Sequence, residues 1–203
     1  MTITWLGHSC FLLESGGFRG LLDPFRDVPG LADVEAEADA VYCSHGHFDH
    51  AYTDRVRLTS GRENPFTVTE IPTFHDGQGG ALRGENTVRR FEAGGVSVVH
   101  LGDLGHQLTP EQVQAVSPCD VLLLPVGGTY TVDSGEARAV AEAVGPRVIV
   151  PMHYRLGDMG FDVLTTLEDF LSQYPRDMVV RYPGSSLTLT PDMPRQVAVL
   201  RLA

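Results

Sequence analysis

Cysteine is scarce in this chain of 203 residues, which carries only Cys10, Cys43 and Cys119. The number is odd and no pair shows a C-x-x-C spacing, so a disulfide framework is not encoded and a reducing cytoplasm is the expected compartment. Each cysteine reads as a small core residue; Cys43, two positions before His45, would lie near the site described below without being a ligand. Long apolar runs are missing as well. None approaches the roughly 20 residues needed to span a bilayer, so no membrane partner is expected. The first residues, Met1-Thr2-Ile3-Thr4-Trp5, lack the basic-then-apolar order of a signal peptide and read as a strand. Positive charge is also in short supply: 15 Lys and Arg face 26 Asp and Glu, a formal net charge of −11. Such a surface repels phosphate backbones and counts against a nucleic-acid partner, although a local positive patch or bound cations could compensate. Repeats, long linkers and low-complexity segments are absent. What remains, 42% apolar and 20% charged residues, is ordinary for one globular domain spanning 1–203 with a buried core.

Short strand-like runs dominate the first half, at 2–6, 9–14, 18–22 and 40–43, then at 66–71, 87–92 and 96–101. The second half alternates strand and helix. Thr109-Pro110-Glu111-Gln112 starts a helix over 110–116, Val121 to Leu124 is a buried strand, and a helix over 133–143 is capped by Asp133 or Ser134. A buried strand at 148–150, a helix at 161–173 and strands at 178–181, 186–190 and 196–201 complete the chain. This order fits layered sheets with helices outside.

The densest chemical signal is His45-Gly46-His47-Phe48-Asp49-His50, four potential metal ligands in six residues. His45 and His47 are two apart, so an extended backbone turns them to the same side, where they can grip one cation. Asp49 and His50 follow in a turn and would face a neighbouring position. A dinuclear site needs further groups. His75, Asp103 and His153 each sit where a strand runs out, the place where open sheets put functional loops. Zinc suits imidazole and carboxylate donors; manganese and iron suit the mixture too.

Taken with Gly102-Asp103 and Pro151-Met152-His153-Tyr154, the hexapeptide and His75 resemble the metallo-β-lactamase superfamily over nearly the whole chain. Leu6-Gly7-His8-Ser9 and Leu22-Asp23-Pro24-Phe25 resemble its branch of Zn-dependent hydrolases that includes the ascorbate-phosphate lactonase. The resemblance implies an α/β fold, a four-layer αβ/βα sandwich of two mixed sheets with helices on the outer faces. It implies one divalent cation on His45, His47 and His75, a second on Asp49, His50 and His153, and Asp103 bridging. Water between the two would be the nucleophile, with Asp49 holding it by a hydrogen bond as well as binding metal. Only 24 residues separate His50 from His75, fewer than is usual in the superfamily. A helix that normally intervenes is reduced or absent, and His106 stands as the alternative first-site ligand.

Around this set, His8 is either a donor behind the ligands, a substrate contact or a turn histidine. Asp23 either orients a ligand histidine or ends its strand as a turn residue before proline. Gly127-Gly128-Thr129-Tyr130-Thr131 leads into a helix N-terminus, which favours an anionic substrate group if it is more than a plain loop. Arg83 could grip such an anion or stand solvated. His106 is a candidate proton donor near Asp103, and His100 reads as a structural strand residue. The expected activity is metal-dependent hydrolysis of a small ester, lactone or phosphodiester. The competing expectations are a nuclease of the same fold, a non-catalytic metal-binding protein, or a di-iron protein, the last disfavoured by His47 where that branch carries glutamate. Relatives in this branch often assemble, so homo-oligomer formation stays open.

Overall fold

Period-two alternation in the first strands gives a sheet two distinct faces, and both are buried. The computed structural model of the protein describes residues 1–202. One sheet has the order β13-β1-β2-β3-β5. It comprises β1 (Thr2–Gly7), β2 (Cys10–Ser15) and β3 (Phe18–Leu22) in an antiparallel meander, β5 (Ala40–Tyr42) parallel to β3, and β13 (Ser186–Thr188) against β1. Ile3, Trp5, Phe11, Leu13 and Leu22 point into the main core, whereas Cys10, Leu12 and Leu21 point the other way, beneath Phe25, Val28 and Val34. That outer face is covered by the segment 24–39 and a two-stranded ribbon of β4 (Ala36–Ala38) and β6 (Val56–Leu58). The span between His50 and His75 holds β6 and turns, in keeping with its shortness.

The second sheet has the order β12-β14-β11-β10-β9-β8-β7. β7 (Thr67–Phe74), β8 (Glu85–Ala93) and β9 (Val96–His100) run antiparallel. β10 (Val121–Pro125), β11 (Val148–Met152), β14 (Gln196–Val199) and β12 (Val179–Arg181) continue in parallel from β9. β9, β10 and β11 are buried at every position, as parallel strands covered on both faces should be. α1 (Pro110–Val116), α2 (Ser134–Val144) and α3 (Leu167–Leu171) pack side by side, α2 resting on β10 through Ala137, Val140, Ala141 and Val144. Inner residues of the two sheets form one continuous core, the sandwich expected from the sequence.

Two elements differ from expectation in ways that matter for the site. β7 extends to Phe74 rather than stopping at 71, although Pro72 lies within it. β7 is an edge strand, so the N–H that proline lacks is not missed. His75 is thereby delivered immediately beyond the ladder. The last long helix is not 161–173 but α3 alone. The Asp169 carboxylate accepts from the Thr166 N–H at 2.8 Å and from its hydroxyl at 2.7 Å, which sets the start of α3 there. The residues before it pair with loops at the sheet ends instead, Arg155 N–H donating to Thr165 O and Thr165 N–H to Gly127 O.

Candidate metal centre

The C-terminal ends of β1, β3, β5, β7, β9, β10 and β11 all lie at one edge of the sandwich, because these strands run parallel within their sheets. The residues just past them converge. His45, His47 and His75 each offer a ligand atom within 4.8 Å of one another, as do His45, His50 and Asp103, and as do His8, Asp49, His50 and His153. All seven residues read as metal ligands are thus brought together. Asp103 sits in the middle: its carboxylate oxygens lie 3.2 Å from His50 Nε2, 3.2 Å from His153 Nε2 and 3.4 Å from His75 Nε2.

Local chemistry fixes how the rings point. Asp23, buried at the end of β3, accepts from the Ser44 N–H at 2.6 Å, the Ser44 hydroxyl at 2.6 Å and His50 Nδ1–H at 2.7 Å. With its proton committed to the carboxylate, the Ser44 hydroxyl oxygen accepts from His45 Nδ1–H at 2.9 Å. One carboxylate therefore sets the tautomer of two histidines, leaving both Nε2 lone pairs turned inward. Asp103 is held by a second device. Its N–H donates to Asn86 Oδ1 at 2.9 Å, while Asn86 Nδ2 donates to Thr73 Oγ1 and Leu101 O. Gly102, at φ +54, passes so close to Asn86 and Ser44 that a Cβ would sit 2.4 Å from each, so only glycine fits there.

The electrostatics suit cation binding. Burial, and the neighbouring His50 ring after it, push His45 down to about 3, so it is a neutral donor at neutral pH. Burial would raise the Asp103 carboxyl, but the His153 and His50 rings outweigh it and hold it well below the usual range. Nε2 of His8, His45, His50 and His153, together with Asp103 Oδ1, are buried without any hydrogen-bond partner. Burial would lower His50, but the Asp103 and Asp23 carboxylates outweigh it and hold it well above its usual value, so a cation taken up there displaces a proton. Buried polar atoms are rarely left without partners, and this inward-facing set of ring nitrogens and a carboxylate oxygen suits a divalent cation.

A cavity of about 350 Å³ opens onto the cluster, lined by Asp49, His75, Arg83, Tyr130, Phe48 and Phe161 among others. Arg83 stands at its mouth, donating to Thr129 O at 3.0 Å with its guanidinium 5.6 Å from the Tyr130 ring centre. Thr129 itself takes a left-handed backbone (φ 57), and its hydroxyl donates to Val163 O at 2.7 Å. His106 does not join the cluster. Its Nδ1 donates to Gln107 O at 2.8 Å and its Nε2 accepts from the Phe74 N–H at 3.1 Å, so both nitrogens are spent on backbone and His75 takes the inward place. This corrects its reading as a proton donor or alternative ligand. His100 is structural, as read, with Nε2–H on Ser9 O and Nδ1 accepting from Gly102 N–H. Ser44, Asn86, Phe48 and Phe161 were not singled out from sequence. Asp76 was missed too: its carboxylate gathers the N–H groups of Gln78, Gly80, Leu82 and Arg83 and so shapes the loop that carries Arg83.

A family model, the beta-lactamase superfamily domain, matches residues 2–153. A UPF0173 metal-dependent hydrolase of Carboxydothermus hydrogenoformans is 32% identical, over 76% of this chain and 84% of the relative. A solved structure from Thermotoga maritima, described as a candidate Zn-dependent hydrolase of the metallo-beta-lactamase superfamily, shares 37% identity with a TM-score of 0.78, covering 100% of this chain and 99% of that one. An isothiocyanate hydrolase from Delia radicum gut bacteria, at 16% identity, shares the fold alone, with a TM-score of 0.69 over 94% of this chain and 100% of its own. The chain belongs to the beta-lactamase superfamily and is a metal-dependent hydrolase of that fold.

Proposed function

We propose that this hydrolase works with two divalent cations, zinc fitting the donors best, and acts on a small ester, lactone or phosphodiester that carries an anionic group. The observation that carries the reading is the set of buried, unpartnered Nε2 atoms around Asp103 Oδ1, itself unpartnered, at an open cavity that Asp103 helps line. His45, His47 and His75 would hold one cation and Asp49, His50 and His153 the other, with Asp103 between them. Such cations, when bound, lower the pKa of water and polarise the scissile carbonyl or phosphoryl oxygen. Asp49, reaching the cavity wall and kept ionised, accepts a hydrogen bond from the attacking water and orients it. The chain contains no lysine, so all its fixed cations are arginines, and Arg83 is the one lining this cavity. Its planar fork suits a carboxylate or phosphate. Phe48, Tyr130 and Phe161 offer apolar surface to the remainder of the substrate. The free thiols of Cys10, Cys43 and Cys119 agree with a cytoplasmic setting; among the described residues no helix is long and apolar enough to cross a membrane.

The test is metal analysis of the purified chain beside a panel of lactones, thioesters, phosphodiesters and β-lactams. Two equivalents of cation and turnover abolished by a chelator are expected. Chelator-insensitive turnover, or one equivalent of cation at saturation, would overturn the reading.

A further inference from the structure

His8 has no place in the set just described, yet it is as unsatisfied as His153, a member of that set. Its side chain is fully buried, and neither Nδ1 nor Nε2 has a hydrogen-bond partner. His100 shows what a structural histidine looks like in this same protein: equally buried, with both ring nitrogens bonded to backbone. Asp49 Oδ2 stands 3.5 Å from His8 Nε2, without hydrogen-bond geometry. His8 is also held in place deliberately. Its backbone adopts φ 49, a conformation that a bulky side chain rarely takes and that persists only when the surroundings enforce it. Its carbonyl accepts from Trp5 Nε1–H at 3.0 Å and from the His153 N–H at 3.3 Å, tying it to a residue of the cluster. The ring packs 4.2 Å from that of His153 and meets Phe25 and Phe161 edge-on. It is not among the residues that line the cavity, so no substrate contact is assigned to it.

We propose that His8 is a fourth protein ligand of the second cation position, together with Asp49, His50 and His153, and that the two positions are therefore unequal. The inference rests on the paired-cation reading above. Ligand atoms of these four residues lie within 4.8 Å of one another, and the group is buried except for Asp49. Beyond the Asp103 carboxylate shared by both positions, four protein ligands close the second position, whereas three histidines leave a coordination place free at the first. The position of His45, His47 and His75, whose His47 is exposed toward the cavity, is the open one that receives water and substrate. The closed position holds its cation by the protein alone.

The test is His8→Asn, chosen because asparagine tolerates the left-handed backbone; His8→Gln serves as a second variant. Chelator competition with zinc on the whole chain should show one of two equivalents weakened at least about a hundredfold, beyond the 10–100-fold typical of an outer partner. The other equivalent should stay as in wild type. Visible absorption of the cobalt-loaded chain should change at one site only, and the metal-free melting temperature should stay the same. Both equivalents held at wild-type affinity with an unchanged cobalt spectrum would overturn the proposal. So would a lowered metal-free melting temperature with metal binding intact, which marks a structural role. A wild-type chain binding one cation overturns the paired reading instead; His8 is then judged by whether Asn weakens that single cation.

Discussion

Replacing Asp23 by asparagine probes the orientation of the centre without emptying it. The carboxylate takes three hydrogen bonds, two of them from Ser44 and one from His50, and through Ser44 it also fixes His45. Asparagine keeps the shape but has one acceptor oxygen in place of two. If that oxygen stays on the Ser44 N–H, the amide NH2 meets His50 Nδ1 and the Ser44 hydroxyl as a donor. His50 must then move its proton to Nε2, the atom meant for the cation, as when a mis-set tautomer disables a catalytic histidine. Loss of an outer partner of this kind costs about 10–100-fold in metal affinity, or about 1.4–2.7 kcal/mol. Because the same carboxylate serves both positions, both cations should weaken. Ser44→Ala severs only the branch to His45 and should weaken only one of them. Chelator competition on the two variants, with metal content read by mass spectrometry, checks this. Wild-type affinity in Asp23→Asn, or a loss in Ser44→Ala equal to that in Asp23→Asn, would refute the shared-carboxylate reasoning.

Arg83→Met should raise KM for anionic substrates about tenfold or more while sparing neutral ones, the loss of one charge-assisted pair of roughly 1.5–3 kcal/mol; steady-state kinetics on matched substrates reads it. Gly102→Ala places a methyl group 2.4 Å from Asn86 and Ser44 at a positive φ, so it should lower stability by about 1–3 kcal/mol and release metal together, seen in a melt with parallel metal analysis. Stripping both cations should lower the melting temperature by roughly 10–20 °C relative to the chain held at a hundredfold excess over each Kd, worth about 2.7 kcal/mol per site. His106→Ala should leave metal content unchanged, since both ring nitrogens serve backbone partners.

Much of the fold was legible because its signals are local. Continuous apolar runs such as Val121 to Leu124 became fully buried parallel strands, and Thr109-Pro110 capped a helix over the residues expected. The ligand set was legible for the same reason: imidazoles and carboxylates stand out where strands end. What stayed hidden depends on contacts between distant segments. Ser44 and Asn86 are unremarkable polar residues until the fold brings one against Asp23 and the other against the Asp103 loop. The covering of the first sheet by 24–39 carries no periodicity, and β4 and β6 are three residues each, too short to show a pattern. α3 was overdrawn because the apolar residues Phe161, Val163 and Leu164 precede it at helical spacing, yet hydrogen bonding to Gly127 keeps Thr165 and its neighbours with the site.

The most direct measurement is anomalous diffraction at the zinc edge from crystals grown with excess zinc. The account predicts two peaks roughly 3.5–4 Å apart, the spacing of paired catalytic metals, one among His45, His47 and His75 and the other among Asp49, His50, His153 and His8. A single peak, or none with the imidazoles unmoved, would contradict it.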